Sequence, residues 1–573
     1  MREKRWVFAP PAREASGRLA RALRISPLAA TLLVNRGAAD PEEARRFLKP
    51  ELSSLRDPLR FDHMGRAVDR LERAVRAGEK VGIFGDYDVD GTAGTAILVK
   101  LLRLLGSSAV YRVPHRVKDG YGLNDRAIEA FTAEGVSVLV TVDCGTNDLE
   151  EIALARSRGM DVVVVDHHET PGAETGAIAV LNPKVRGSAY GFTGICSAGI
   201  AFKLAWAIAD RVQAKRRPGF EDFILDAMGL VALGTVADVC PLVDENRILV
   251  RYGLDALRAC RGPGIAALRR LARLEEDRPI DTFDIGFKLA PRLNALGRLG
   301  TALDCVDLLT GEDPARIEEI LGILEKSNRK RKGIEDEIFQ QACEQVESEG
   351  GGGNAIVVAD PRWHVGVVGI VAARLVDRYY RPAFVLAVED GVARGSARSI
   401  DGFPLHEALA ACGELLETHG GHAMAAGLSL RPENLEAFRR KMLRHAATAL
   451  DAERLRPKLD VDDEVPLEAV TRPVVRELER LAPHGPGNPV PVLVSSHVRV
   501  AGEPRLMGKK ADHLSLYLTQ GGASVRAVGF GMAELAGPLG RARTISAAYT
   551  PQINSWQGRE SVELRLLDVK LDP

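Results

Sequence analysis

The chain has 573 residues, 46% hydrophobic and 27% charged, with a net charge of −1. These are the proportions of a soluble globular protein with room for three or four domains of about 150 residues. No apolar run nears the roughly 20 residues of a membrane helix, which excludes a membrane-spanning role. The first residues, MREKRWVFAPPAREASG, carry charge but no apolar core, so no secretory leader is expected. Seven cysteines without a CxxC pair argue against a disulfide framework or a zinc ribbon. A cytoplasmic protein is the expectation.

Residues 1–60 read as a helical preface. PLAATLLVNRG and DPEEARRFLKP make two short helices, the second with Asp40 as N-cap and Pro41 as its first residue. From about 65 to 250, strand and helix patterns alternate. The strand Val81 to Phe84 precedes a helix from Thr95 to Leu105. VYRVP, a helix near Asp125 to Glu134 and the strand VSVLVTV follow. Then come a helix from Leu149 to Arg158 and the strand MDVVVV. Short, continuous, Val-rich strands of this kind are covered on both faces, and their alternation with helices predicts a doubly wound parallel α/β sheet. A helical region follows to about 345, and EGGGGN, Glu349 to Asn354, marks a boundary. AIVVAD opens a second, smaller α/β unit. After about 490, VLVSSHVRV, HLSLYLT, SVRAVGF, RTISAAY and SVELRLLDV are five strands without long helices, as in an OB-like β-barrel. The expected divisions are an N-terminal helical segment (1–60), a first α/β domain (61–310), a linking helix (311–350), a second α/β domain (351–455) and the barrel domain (456–573).

The chemistry concentrates after the strands. GDYDVDG places Asp86, Asp88 and Asp90 at alternate positions between a strand and a helix. Asp143 and the run Asp166-His167-His168 follow two further strands, and Asp238 follows the apolar LVALG. In an open α/β sheet the carboxyl edge is where ligands bind. Four segments thus bring carboxylates or imidazoles to one edge. Such hard donors suit Mg²⁺ or Mn²⁺, the imidazoles favouring Mn²⁺, with no cysteine near enough to require softness. Two ions bridged by a carboxylate serve phosphate esters or anhydrides. The expected ligands are Asp86, Asp88, Asp90, Asp143, His167 and Asp238, with Asp143 as the bridge. His168 is expected at the scissile phosphate or in proton transfer, and Asp166 joins Asp143, His167 and His168 in the catalytic set.

DYDVDG, VDCG, DHH and ADV, in this order, resemble the four motifs of the DHH phosphoesterase superfamily. Phe84 stands where other branches of that superfamily carry a histidine. GGHAMAAG (Gly420 to Gly427) and RGSARS (Arg394 to Ser399) resemble the substrate-binding motifs of the DHHA1 domain. RVKDGYGLN, PRLNALGR, WHVGVVGIVAARL and GPGNPVPVL resemble segments of the bacterial RecJ family of single-stranded-DNA-specific exonucleases. This resemblance implies 5′→3′ hydrolysis of single-stranded DNA to nucleotide 5′-monophosphates in recombination and repair, with Mn²⁺ or Mg²⁺. It implies a monomer working with a single-strand-binding protein and a recombination helicase, and no membrane. The rival readings are a compact DHH nanoRNase or phosphatase and a non-catalytic scaffold of the same fold.

Substrate contacts are expected from Arg112, His115 and Arg116, from Arg292, Asn294 and Arg298, and from the basic run 329–332. Trp363 and His364 follow the strand AIVVAD and face either the cleft or the core. Arg398, Ser399, Gly420, Gly421 and His422 complete the expected set, since glycines admit a phosphate closely and arginine grips it bidentately. In the barrel, Lys509, Lys510, Tyr517, Phe530, Tyr549 and Trp556 are candidates to hold and stack a single strand, some of the aromatics being needed instead for the core.

Overall fold

The structure is a computed structural model. It describes residues 3–572 except 117, 171, 173, 174, 276, 277, 349 and 352, and the backbone alone of Leu299. Glu349 and Gly352 of the expected glycine boundary thus lie outside the described residues. The chain forms two compact units. One takes residues 54–240 and 244–455; the other joins the first 53 residues to 241–243 and 456–573. The first strand, β1 (Arg5–Phe8), belongs to the second of these. Among the described residues no helix is long and apolar enough to cross a membrane.

The larger unit opens on a five-stranded sheet of β2 (Lys80–Gly85), β3 (Ala109–Arg112), β4 (Val136–Val142), β5 (Asp161–Val165) and β6 (Ala179–Leu181). Their order is β3-β2-β4-β5-β6, and every neighbouring pair is parallel. The chain adds β3 on one side of β2 and then returns to add β4 on the other. The crevice beyond the β2 and β4 ends is therefore the topological switch point. The strands carry almost unbroken burial, Val138 to Val142 and Val162 to Val165 being nearly inaccessible. That is the pattern of a sheet covered on both faces.

The helix after β2 runs Val89–Leu104, starting earlier than its periodicity predicts. Asp88 is its N-cap, with Oδ1 accepting from the amides of Asp90 and Gly91. Gly91 is required here, since a Cβ would lie 2.6 Å from the Asp86 carbonyl oxygen.

A 35-residue helix, Pro314–Ser348, leads to the second sheet and is about 50 Å long at 1.5 Å per residue. That sheet holds β7 (Ile356–Asp360), β8 (Ala383–Glu389), β9 (Val392–Arg398), β10 (Thr418–Gly421) and β11 (Ala425–Leu430), in the order β10-β11-β9-β8-β7. Only β7 and β8 are parallel. Alternate residues of β7 enter different cores, Val357 with Phe384 and Phe438, Ile356 and Val358 with Trp363 and Ile338.

In the smaller unit, β12 (Lys458–Val461) pairs with β1, and β13 (Asp463–Glu464) extends the barrel edge. The barrel itself is β14 (Leu493–Met507), β15 (His513–Gln520), β16 (Ala523–Gly529), β17 (Ile545–Trp556) and β18 (Arg559–Leu571), closed by pairing of β14 with β17. Helices Arg13–Leu23, Pro27–Asn35 and Pro41–Leu48 share its core through Leu19, Leu32 and Ala44. The first of these and β1 are additions to the expected preface.

Candidate metal centre and anion site

Register assembles the acidic site. Gly85 pairs with Val142, and Val142 with Val165. The next residue of each strand then continues the ladder: the Asp86 amide donates to Val142, that of Asp143 to Val165 and that of Asp166 to Leu181. Three aspartates thus stand side by side at one edge. Asp143 has φ +66°, a left-handed conformation that aspartate, like asparagine, adopts more readily than most residues. Asp238 arrives differently. The apolar LVALG lies inside a helix, Phe220–Ala237, and Asp238 closes that helix rather than a strand.

The donors converge. Nε2 of His167 lies 3.3 Å from Asp143 Oδ1, 3.6 Å from Asp238 Oδ2 and 3.9 Å from Asp90 Oδ2. Asp86, Asp88 and Asp143 present oxygens within 4.8 Å of one another, as Asp143, His167 and His168 present theirs. Asp143 is common to both groups. A third group joins His167 and Asp238 to Cys240, so a thiol stands beside the centre, against the expectation that no cysteine is near.

Burial, and then mutual repulsion, push the carboxyls of Asp86 and Asp143 well above their usual range. The same causes raise Asp88, and Asp238 to about 7. Asp86 Oδ1 is buried without a hydrogen-bond partner. Buried carboxylates left like this need protons or cations. The donor set of oxygens and imidazole fits Mn²⁺ or Mg²⁺.

The surrounding residues aim these groups. Ser197 Oγ donates to Asp143 Oδ1 at 2.8 Å, and the amides of Ser197 and Ala198 donate to the two oxygens of Asp90. Asp90 is thereby fixed at the N-terminus of the helix Ser197–Arg211. Asp166 accepts from Nδ1 of His168 at 2.7 Å and from the amides of Thr146, His167 and His168. It thus orients the His168 imidazole. The Tyr121 hydroxyl donates to the Asp143 carbonyl and lies 2.9 Å from His168 Nδ1. The two histidines titrate oppositely. Burial lowers His167; for His168 burial is outweighed by Asp166, and its pKa rises. Ser197 and Tyr121 were not singled out in the sequence. The start of a small-residue helix at SAGIAF was the available signal for the first.

Beside the acids lies a basic group. Arg116 stacks on Tyr87 at 4.7 Å. Gly297 abuts the Tyr87 carbonyl, where a Cβ would approach to 2.7 Å, so Arg298 is delivered next to the acidic loop. Arg298 Nη1 donates to Gly366 O at 2.8 Å. Arg398 Nη1 donates to Ala397 O and Ser396 Oγ, and its Nη2 lies 3.5 Å from the Cβ position of Gly369. Burial, then Arg116, Arg331 and Arg398, push Arg298 down to about 9. Burial and Arg116 lower Arg398. Among the described residues none of Arg116, Arg298 and Arg398 has a carboxylate within 4.0 Å. Such a group, at the start of the helix Val365–Tyr379, suits an anion.

Other expected residues sit elsewhere. Arg292 bonds to Lys288 O, lies 3.6 Å from Glu325 and lines a separate cleft with Arg270, Arg273 and Arg329. Asn294 is half-buried on the same helix. Ser399 Oγ donates to Phe403 O, and His364 Nδ1 caps the amide of Gly366. Gly420, Gly421 and His422 form an exposed hairpin at the sheet edge. Trp363 is core, its Nε1 donating to Gln341. Arg112 pairs with Glu134, and Arg331 is buried against Glu335. In the barrel Tyr549 is buried against Ser495, whereas Tyr517, Phe530 and Trp556 are exposed.

Three family models match the chain: the DHH family, N-terminal domain, over residues 80–235, the DHHA1 domain over 352–448 and the RecJ OB domain over 461–568. The single-stranded-DNA-specific exonuclease RecJ of Bacillus subtilis is 37% identical over 98% of this chain and 70% of its own length. That of Escherichia coli is 33% identical over 94% of this chain and 95% of its own. A crystal structure of Thermus thermophilus RecJ in complex with Mn²⁺ superposes with a TM-score of 0.83 at 29% identity, covering 99% of this chain and 80% of that one. With this identity along nearly the whole sequence, the chain belongs to the RecJ family.

Proposed function

We propose that this chain is a metal-dependent exonuclease of single-stranded DNA, cutting 5′→3′ to nucleotide 5′-monophosphates in recombination and repair. One observation carries the reading: a buried acidic centre that calls for cations adjoins a half-buried group of arginines that suits an anion. An enzyme that trims an end needs both, one place for the scissile phosphate and one for a phosphate at or near the terminus. The curated relatives are named for this activity, and the Thermus thermophilus structures hold Mn²⁺ or Mg²⁺.

Asp86, Asp88, Asp90, Asp143, His167 and Asp238 are the residues that would hold two divalent ions, with Asp143 between them. Bound there, such ions supply Lewis acidity at phosphorus and an activated water. The chain's own groups do the rest. His167, kept neutral by burial, offers Nε2. His168, kept protonated by Asp166, presents an N–H to a phosphate oxygen. Ser197 holds Asp143 in its rotamer. Arg116, Arg298 and Arg398 grip the neighbouring phosphate. The division into an N-terminal helical segment (1–60), a DHH domain (61–310), linking helix (311–350), DHHA1 domain (351–455) and OB domain (456–573) belongs to the same proposal. So do Asn294, His364, Ser399 and the Gly420–His422 hairpin as substrate contacts, a monomeric state, a cytoplasmic setting, and a single-strand-binding protein and a recombination helicase as partners.

The test is digestion of a long single strand labelled at either end, with Mn²⁺, Mg²⁺ or EDTA. Early mononucleotide release from the 5′ end, absent with EDTA and in His167→Ala, is expected. Cleavage restricted to di- to pentanucleotides would replace the proposal with a nanoRNase.

A further inference from the structure

Every ligand expected at the centre is hard; Cys240 is not. Its Sγ donates to Asp238 Oδ2 at 3.1 Å, and that oxygen lies 3.6 Å from His167 Nε2. The thiol, carboxylate and imidazole donor atoms all lie within 4.8 Å. The residue between the two chain neighbours is Val239, at φ +59° with its side chain 67% exposed. A β-branched residue in the left-handed region is a true outlier. Its effect is to fold the chain so that the side chains of Asp238 and Cys240 meet. Cys240 is buried.

We infer that His167, Asp238 and Cys240 form a capture site for a thiophilic divalent cation of the zinc group, which displaces the activating metal and inhibits the enzyme. Zinc bonds sulfur at about 2.3 Å, nitrogen at about 2.0–2.1 Å and carboxylate oxygen at about 2.0–2.2 Å in a tetrahedron, whose edges are then roughly 3.3–3.8 Å. The His167–Asp238 separation of 3.6 Å lies among such edges, and the thiol–carboxylate contact of 3.1 Å needs to open by only about 0.5 Å to reach them. Mn²⁺ and Mg²⁺ gain little from a thiol, and Mn²⁺ lies below Zn²⁺ in affinity for mixed N, O and S donors. Binding forms a metal–sulfur bond and releases the thiol proton to solvent. It also withdraws His167 and Asp238 from the proposed activating centre. Only this inhibitory consequence rests on the proposed function; the capture itself does not.

Cd²⁺ serves as the spectroscopic probe. The metal-free protein is titrated with Cd²⁺ and followed by thiolate-to-metal charge-transfer absorption, beside Cys240→Ser and Cys240→Ala. The natural chain should show the band saturating at one equivalent. Both variants should lose it and bind Cd²⁺ at least about tenfold more weakly, about 1.4 kcal/mol. In strand cleavage supported by Mn²⁺, each variant, measured against its own rate without zinc, should need at least about tenfold more Zn²⁺ for half-inhibition. A band that persists in Cys240→Ala, or equal zinc sensitivity, overturns the inference. If no metal supports cleavage but the band still depends on Cys240, the nuclease proposal fails and the capture site stands.

Discussion

The acidic and basic groups of the larger unit are built in opposite ways. Asp86, Asp143 and Asp166 stand on the ends of neighbouring strands of one sheet, where main-chain hydrogen bonds fix each position, and Asp88, Asp90 and Asp238 are carried by helix ends. The arginines come from three unrelated places: a loop (Arg116), the end of a helix (Arg298) and the end of the central strand of the second sheet (Arg398). Short side chains on a rigid edge hold a small ion to fractions of an ångström. Long side chains on separate elements close around a larger, polyatomic anion. The contrast shows which half of the chemistry demands precision and which demands reach.

Breaking the acidic half should cost most. Asp143→Ala removes the residue common to both donor groups and should lower metal-supported cleavage by at least about 10³-fold, about 4 kcal/mol, in single-turnover assays. Filling that half should stabilise it: Mn²⁺ at 100 times its Kd should add about 2.7 kcal/mol, seen as a rise in Tm. The metal-free protein should show the reverse dependence on pH. Burial, then Asp90 and Asp88, hold the Asp238 carboxyl near 7, against about 3.9 in an unfolded chain. The folded state thus keeps a proton that the unfolded state has lost, and stability falls as pH rises from about 4 to 7. Tm should be higher at pH 5 than at pH 8 without metal, and Mn²⁺ should shrink that gap.

The basic half should respond differently. Arg298→Ala or Arg398→Ala removes a charge-assisted bond of about 1.5–3 kcal/mol and should raise KM about 10–100-fold while leaving metal affinity unchanged. Ser197→Ala releases one oxygen of Asp143 and should weaken Mn²⁺ binding about tenfold, measured by calorimetry. The smallest effect belongs to neither half. Trp363→Phe loses the bond to Gln341, about 1 kcal/mol of stability, with the cleavage rate unchanged.

The two halves also differ in legibility. The aspartates follow apolar runs, so strand endings and parallel order suffice to bring Asp86, Asp143 and Asp166 together. Asp238 was found for the right edge, although LVALG is helical; a short apolar run does not separate strand from helix. Which arginines converge was not legible. Arg292 and Arg298 lie on one helix, six residues apart, yet one meets Glu325 and the other Gly366. The GGHAMAAG glycines make a hairpin, and Trp363 fills a core, because long-range packing decides both. Cys240 escaped notice for a local reason: nothing in ADVC announces that Val239 turns left-handed.

The smaller unit is assembled from both extremities of the chain. β1 pairs with β12, and the Arg36 guanidinium meets Asp462 at 2.9 Å inside a core shared by residues 19–44 and 465–566. During synthesis, its first helices must wait for about 400 intervening residues, enough to build the entire larger unit. The catalytic unit therefore has the opportunity to fold before the barrel can close. A lesion in either extremity reaches the same body, so a cut near residue 30 and one near residue 550 should share one phenotype.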